Sequence, residues 1–417
     1  MDKYFILNTK KLETIYLIVI SILAFVYLTE NWGPSIPMLL WAFPMLLSYK
    51  SPKISFFFLI ITQLIPSNAS INLTQLFFVV WIVLNFRSLI REGIPPWKGT
   101  GEIFILLFLL FFRDIVFFEI ADGFEFIKII LFAIIAHVEI SRIGDIEQLI
   151  PSFICATFVG AAGYYGHLLL GLDFIINSDH ISYTSMRGGF ARFMIGNGDY
   201  NFYAVYLLVG FSIVMGLLLN RDFSIKRRIA CLCLASLYVF PILASLSRGA
   251  FITMCAISFL VILRILIGAY DRNFKVLILL LIALTIAILF DTIQSYFQAA
   301  LSSEETGSLE EDIRFVLWKD YLEIFKQFPL FGGLGLTEMP RLAAHNTFVE
   351  FLTKYGILIS LYFFYISAKP ILNFLIYRNT KSDCYLFSYI SVLFAFLSLS
   401  IIGFKVFWLL ILLLRRK

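Results

Sequence analysis

The chain has 417 residues, 60% of them hydrophobic and only 15% charged, with a mean hydropathy of +0.89. No soluble core of this length absorbs so much apolar surface, so the composition excludes a soluble globular enzyme and points to an all-α polytopic membrane protein. The formal net charge of +5 lies in short basic clusters beside apolar runs, which is the pattern of topology signals and not of a nucleic-acid surface.

Taken in order, the first apolar run, Leu12 to Leu28, is longer than a signal-peptide core and leads into further apolar runs instead of a cleavage site, so it reads as a retained span. Further spans are expected near residues 36–49, 54–66, 71–87, 102–119, 124–140, 148–171, 200–220, 229–246, 249–268, 274–290 and 346–367. A hairpin of two short helices fills 384–414, giving about fourteen segments, or twelve where short ones are re-entrant. Lysine and arginine mark alternate connections: Lys3, Lys10 and Lys11; Lys50 and Lys53; Arg87, Arg91 and Lys98; Arg142; Arg221 to Arg228; Arg272 and Lys275; Arg378 and Lys381; and Arg415 to Lys417. These turns are cytoplasmic by the positive-inside rule, and the connections between them face out. Residues 1–417 read as one transmembrane domain with two larger outward loops, 172–199 and 291–345. The five cysteines fall in or beside apolar segments without metal-site spacing, and no disulfide is expected.

The outward connections hold arginines that topology does not require: Arg187, Arg192, Arg248, Arg314 and Arg341. A bound anion would account for them. The first loop ends with Arg187, Arg192, Gly198, Asp199 and Asn201 at the mouth of a span. Asp199 or Asn201 either caps that helix or joins the arginines in a site, and the two arginines either snorkel to headgroups or hold the anion. In the second loop Ile313, Leu317, Tyr321, Phe325 and Phe328 recur at helical spacing; Ser308 with Glu311 forms a capping box, and Pro329 ends the helix. Arg314 lies one turn before Trp318, where it either stacks on the indole while addressing an oxyanion or is one more exposed helix charge.

A glycine-rich turn, Gly332 to Gly335, then leads through Arg341 to His345 and Asn346 at the outer end of a span. His345 is either a proton acceptor or a structural interfacial histidine. Glu350 and Lys354 are spaced to pair along one helix face, and Arg113, Asp114 and Lys128 either pair across helices or line a cavity. The sequence has no phosphate-loop lysine, no D-x-D or His/Cys/Glu cluster and no G-x-S-x-G. A phosphate-handling reaction here would draw its charge stabilisation from arginine, with no metal and no cofactor implied.

Residues 185–367 resemble the bacterial O-antigen ligase and polymerase family of membrane glycosyltransferases. The resemblance lies in Arg187 placed ahead of Gly198; the Asp199-Tyr-Asn201 entry to a span; Ser247-Arg248-Gly249-Ala250; Arg314 with Trp318; the run from Phe328 to Gly335; and His345-Asn346 followed by Gly356. It implies a GT-C-like architecture of about 12–14 helices in the bacterial inner membrane, with two larger periplasmic loops and the active face periplasmic. It also implies a donor glycan on undecaprenyl pyrophosphate, an acceptor that is either a lipid-linked repeat or the lipid A core, and a chain-length regulator as partner.

By the same resemblance His345, Arg314 and Arg187 are catalytic, and Arg192, Arg248, Asp199, Asn201, Arg341 and Asn346 bind substrate. His345 would deprotonate or orient the acceptor hydroxyl, which attacks C1 with inversion as the arginines stabilise the leaving pyrophosphate. Family ligases often follow the glycine with a second glycine and threonine, whereas this chain continues Gly356-Ile-Leu-Ile-Ser360, which leans toward a polymerase. The competing class is a transporter of lipid-linked glycan, which would place its polar groups near the bilayer midplane and show a repeated half.

Overall fold

The computed structural model describes residues 2–29, 38–65, 73–97, 99–117, 120–174, 184–187, 190–195, 199–281, 283, 294, 313–340, 343–377, 383–397, 399 and 403–415. Helices dominate them, because in lipid only a helix or a closed barrel satisfies its own backbone polar groups. In chain order they are α1 (Asp2–Leu28), α2 (Ala42–Leu46), α3 (Pro52–Ile61), α4 (Leu73–Glu92), α5 (Gly101–Val116), α6 (Ile120–Arg142), α7 (Ile150–Leu170), α8 (Tyr200–Leu217), α9 (Ile225–Ala244) and α10 (Arg248–Ile267). Then follow α11 (272–281), α12 (Ile313–Gln327), α13 (Thr347–Tyr377), α14 (Asp383–Phe396) and α15 (Lys405–Arg415). A single antiparallel hairpin, β1 (Thr184–Arg187) and β2 (Phe190–Phe193), stands between α7 and α8. Among the described residues seven helical segments, in α1, α4, α7, α8, α9, α10 and α13, are long and apolar enough to cross a membrane. The protein is an all-α polytopic membrane protein.

The hub is α8. Nearly every residue from Tyr203 to Gly216 is buried, and the helix packs against α7, α9, α10 and α14. Glycine permits this: a Cβ at Gly216 would overlap the Cys384 backbone, and one at Gly210 would overlap Thr157 and Tyr238. All five cysteines are free thiols.

Two of the expected spans are corrected. The stretch expected at 36–49 is, over its described residues 38–49, not one helix; it is a 3₁₀ turn at Met38–Trp41, the five-residue α2 and a second 3₁₀ turn at Leu47–Tyr49. Pro44 has no N–H to give to a helical carbonyl, which hydropathy alone does not register. The apolar run at 54–66 gives a ten-residue helix, α3, about 15 Å long. Ile54 to Ile61 are all buried, so α3 is a core element and not a lipid-facing span. The hairpin expected over 384–414 is present as α14 and α15.

The basic turns gather at one end of the bundle. Lys53 pairs with Glu13 at 2.6 Å, Ser152 donates to the Lys53 carbonyl at 2.7 Å, Tyr385 donates to the Ile146 carbonyl at 2.7 Å, and Arg264 pairs with Asp383 at 2.9 Å. At the same end Glu102, which opens α5, accepts from Lys369 of α13 at 2.7 Å and from Arg415 of α15. Arg415 also donates to the Ile366 carbonyl at 3.0 Å. The Arg415 side chain is 2% exposed and that of Lys369 30%, so the two partners of Glu102 are unequal. Arg415→Ala is expected to cost about 2 kcal/mol, by leaving the Ile366 carbonyl without its donor and Glu102 with Lys369 alone, while Lys369→Ala costs less than about 1 kcal/mol. Thermal unfolding of the purified protein in detergent checks that order.

Candidate functional site

At the opposite end, the site is built around a break in α13. Gly356 has φ +73° and ψ 177°, which no helix accommodates. The break parts the hydrogen bond that Ile357 N–H would otherwise give to the Thr353 carbonyl. Both groups find replacements in the turn after α12: Gly333 N–H donates to the Thr353 carbonyl at 2.8 Å, and Ile357 N–H donates to the Pro329 carbonyl at 2.8 Å. The turn is thus spliced into the helix. Gly332, at φ +74°, lies against the Lys354 carbonyl, and Gly356 lies against the Leu330 carbonyl and the Gly332 nitrogen, so a Cβ at either position would overlap backbone.

Other elements fasten the splice. Thr353 donates its hydroxyl to the Tyr321 carbonyl of α12 at 2.9 Å. Gly335 packs on Phe117 at the end of α5. Arg113 of α5 donates to the carbonyls of Phe331 at 3.3 Å and Gly332 at 3.5 Å, its guanidinium lying 4.5 Å over the Phe117 ring and 5.6 Å from that of Tyr355. Asp114, fully buried, lies 3.8 Å from Arg113 and accepts from the Tyr355 hydroxyl at 3.5 Å. Of the two open readings for Arg113, a structural brace across helices is the one observed. Lys128 pairs with Glu125 on its own helix, and Lys354 with Glu350 at 2.8 Å as the spacing predicts.

His345 sits just before the first arm of α13, in the left-handed region at φ +50°. Such a conformation costs a residue with a Cβ about 1–2 kcal/mol, and both flanks hold it in place. On one side the Trp318 indole N–H of α12 donates to the Ala344 carbonyl at 2.6 Å. On the other, Asn346 caps α13, its side-chain oxygen accepting from Phe348 N–H at 3.0 Å and Val349 N–H at 3.2 Å. Thr347 donates to the Leu399 carbonyl, tying the same turn to the α14–α15 connection.

The expected helix over the second loop is present as α12, with Leu317 and Tyr321 buried and its end just before Pro329. Phe315 packs edge-on to Trp318, their rings 5.3 Å apart. The Arg314 side chain lies outside the described residues, as do Arg341 and the Ser308–Glu311 capping box; the Arg314 backbone stands on the first turn of α12.

A second cluster forms around the hairpin. Its register pairs Ser185 with Arg192 and Arg187 with Phe190, which puts positions 187 and 192 on one face; the Arg187 side chain is outside the described residues. Arg192 donates Nε–H to the Ser245 carbonyl at 3.1 Å and lies 4.0 Å over the ring of Tyr200, the first residue of α8. Asp199 caps α8, accepting from Asn201 N–H at 2.6 Å and Phe202 N–H at 3.3 Å. Ser247 caps α10, accepting from Ala250 N–H at 3.4 Å, so Arg248 opens that helix beside the turn that Arg192 grips. The two clusters flank the α14–α15 connection: Thr347 bonds Leu399 on one side, and the rings of Phe202 and Phe404 meet at 5.2 Å on the other.

Sequence reasoning missed the hairpin, the carbonyls that Arg113 braces and the clamp by Trp318. The last left a signal, because a half-buried tryptophan on an amphipathic helix needs an acceptor for its N–H.

These elements define a polytopic α-helical membrane protein whose histidine turn and arginine-bearing hairpin lie at the end opposite its basic connections, on either side of the α14–α15 connection. The protein family described as O-Antigen ligase matches residues 231–364, about a third of the chain, running from α9 through α10 and α12 into α13. That match supports an assignment to the O-antigen ligase family of ligase- and polymerase-type membrane enzymes. The matched region holds Arg248, Arg314, Arg341, His345, Asn346 and the spliced turn, and leaves the hairpin with Arg187 and Arg192 outside. No curated protein matches the chain.

Gly332→Ala and Gly356→Ala are each expected to destabilise the fold by about 3 kcal/mol or more, since the clashing atoms are backbone. Gly403→Ala, with open space around it and an ordinary backbone, is expected to be neutral. Monodispersity and thermal unfolding in detergent report all three.

Proposed function

We propose that this protein transfers a glycan from undecaprenyl pyrophosphate to a sugar hydroxyl on the periplasmic face of the bacterial inner membrane, acting as an O-antigen polymerase or ligase with a slight lean to polymerase. The observation that carries the reading is the fixed turn of His345, which lies inside the family-matched region and at the same end of the bundle as the arginine cluster. The lean rests on the sequence Ile-Leu-Ile-Ser360 after Gly356.

In this reading the acceptor hydroxyl gives its proton to the His345 imidazole as its oxygen bonds to C1 of the donor. The bond from C1 to the pyrophosphate oxygen breaks on the opposite face, so the anomeric configuration inverts and the electron pair leaves with the pyrophosphate. Arg187, Arg192, Arg248, Arg314 and Arg341 are the residues proposed to receive that charge, because guanidinium stays protonated and addresses phosphate oxygens bidentately. The transfer is proposed to be metal-independent for this reason. Asp199, Asn201 and Asn346 support the site through the helix ends they form or cap. Lipid A core or a second lipid-linked repeat is the acceptor, and a chain-length regulator is the protein partner proposed.

The test is a deletion strain complemented with wild type or with His345→Ala at matched expression, its surface glycan run as a lipopolysaccharide ladder. Single repeats capping the core in the deletion identify a polymerase, and bare core with polymer left on undecaprenyl identifies a ligase. His345→Ala is expected to reduce ladder formation roughly 100-fold or more. A full ladder from this variant would overturn the mechanism. Asn346→Ala, by contrast, is expected to lower stability by about 1 kcal/mol through the lost cap, read by thermal unfolding.

A further inference from the structure

At the basic end of the bundle, far from the His345 turn, a cavity of about 270 Å³ lies where the feet of α7, α8 and α14 meet. Glu147 and Pro151 line it from the start of α7, Leu217 and Asn220 from the end of α8, Phe223 from the turn that follows, and Asp383 from the first turn of α14. The walls are fixed by bonds made behind them. Tyr385 ties α14 to the 3₁₀ turn Ile146–Leu149 through the Ile146 carbonyl, and Asp145 caps that turn, accepting from Glu147 N–H at 3.1 Å. Arg228 donates to the carbonyls of Asn220 at 3.4 Å and Arg221 at 3.2 Å, and Tyr270 donates to that of Leu219 at 2.8 Å.

Two carboxylates are left facing this space. The Asp383 side chain is only 7% exposed; Arg264 takes its Oδ2 at 2.9 Å, while Oδ1 is buried with no hydrogen-bond partner. A buried carboxylate oxygen without a donor is costly, so a donor brought by a ligand would bind there with gain. Glu147 is half-buried, and its carboxylate enters no ion pair among the described residues. Arg264 balances Asp383, and Glu147 therefore gives the cavity a negative charge to spare. A positive group stands at its edge. Arg227, exposed on the first turn of α9, lies 5.8 Å over the ring of Phe223, one of the lining residues. Beyond it, Ala230, Cys233 and Leu237 are exposed along α9 and face the hydrocarbon.

We propose that this cavity binds the ethanolamine headgroup of a membrane phospholipid, with the ammonium between Asp383 and Glu147 and the phosphate at Arg227. A cation-binding hollow, a guanidinium at its edge and an apolar helix face beyond repeat the order of ammonium, phosphate and acyl chain in such a lipid. The ammonium carries N–H donors that Asp383 Oδ1 lacks; the trimethylammonium of a choline lipid has none to give. A glycerol headgroup brings no positive charge, and a serine headgroup adds a carboxylate that Glu147 repels. This site is independent of glycan transfer.

The full chain, purified in detergent, is mixed with equal amounts of phosphatidylethanolamine, phosphatidylcholine and phosphatidylglycerol, and the lipid it retains is identified by native mass spectrometry. One phosphatidylethanolamine, retained roughly ten-fold or more over the other two, is the expected result. Free phosphoethanolamine is expected to displace it, and phosphocholine is not. Glu147→Gln, which breaks no ion pair, and Arg227→Ala are each expected to abolish the preference, and Arg91→Ala, which removes an exposed charge at the end of α4, to leave it intact. Equal retention of the three lipids, or undiminished preference in a folded Glu147→Gln protein, would overturn the proposal. So would phosphoethanolamine binding without retention of the lipid, which would make the ligand a free metabolite, or displacement by hexalysine alone, which would make it a basic peptide.

Discussion

Two backbone hydrogen bonds, from Gly333 to Thr353 and from Ile357 to Pro329, are what the His345 end of this protein depends on. A helix broken at membrane depth leaves an N–H and a carbonyl that water does not reach, at several kcal/mol each. The turn after α12 supplies one partner for each, so the break exists only together with that turn. This explains why a glycine-rich run and a distant glycine occur in one sequence: Gly332 and Gly356 are two sides of a single backbone contact. Once the splice is made, the first arm of α13 takes its direction from α12 and α5, and His345 at its head is held by elements that are far apart in the chain.

The second constraint is the hub. Because α8 is buried along its length, its first residue is a fixed point, and Arg192 stacks on it. The arginine cluster is thereby referenced to the centre of the bundle, while the histidine turn is referenced to α12 and α5. The short connection between α14 and α15 touches both. The His345 turn lies inside the O-antigen ligase match and the Arg192 cluster outside it.

Much of this was legible in the sequence. Apolar runs and basic turns located most of the helices, because burial in lipid imposes length and leaves charge at the ends. The α12 helix and its end before Pro329 followed from apolar spacing, and Asp199 was readable as a cap because the physics of a helix start is local. Illegible features were those set by partners remote in sequence. Arg113 bonds carbonyls 218 and 219 residues away, and nothing near it in the chain announces them. Trp318 suggested a platform for Arg314, but its N–H also fixes the carbonyl before His345, a partner 26 residues away. The segment 36–49 looked like a span because composition was counted without the cost of Pro44.

The contact between Glu102 and Arg415 joins residues 313 apart. While the chain is being inserted, α5 stands with its first-turn carboxylate at the interface, held only by water and headgroups. Lys369 reaches it when α13 arrives, and the pocket closes only when α15 lies alongside. The order of synthesis thus gives the bundle a closing step. A chain stalled before α15 has Glu102 paired with Lys369 alone and the Ile366 carbonyl without its arginine donor.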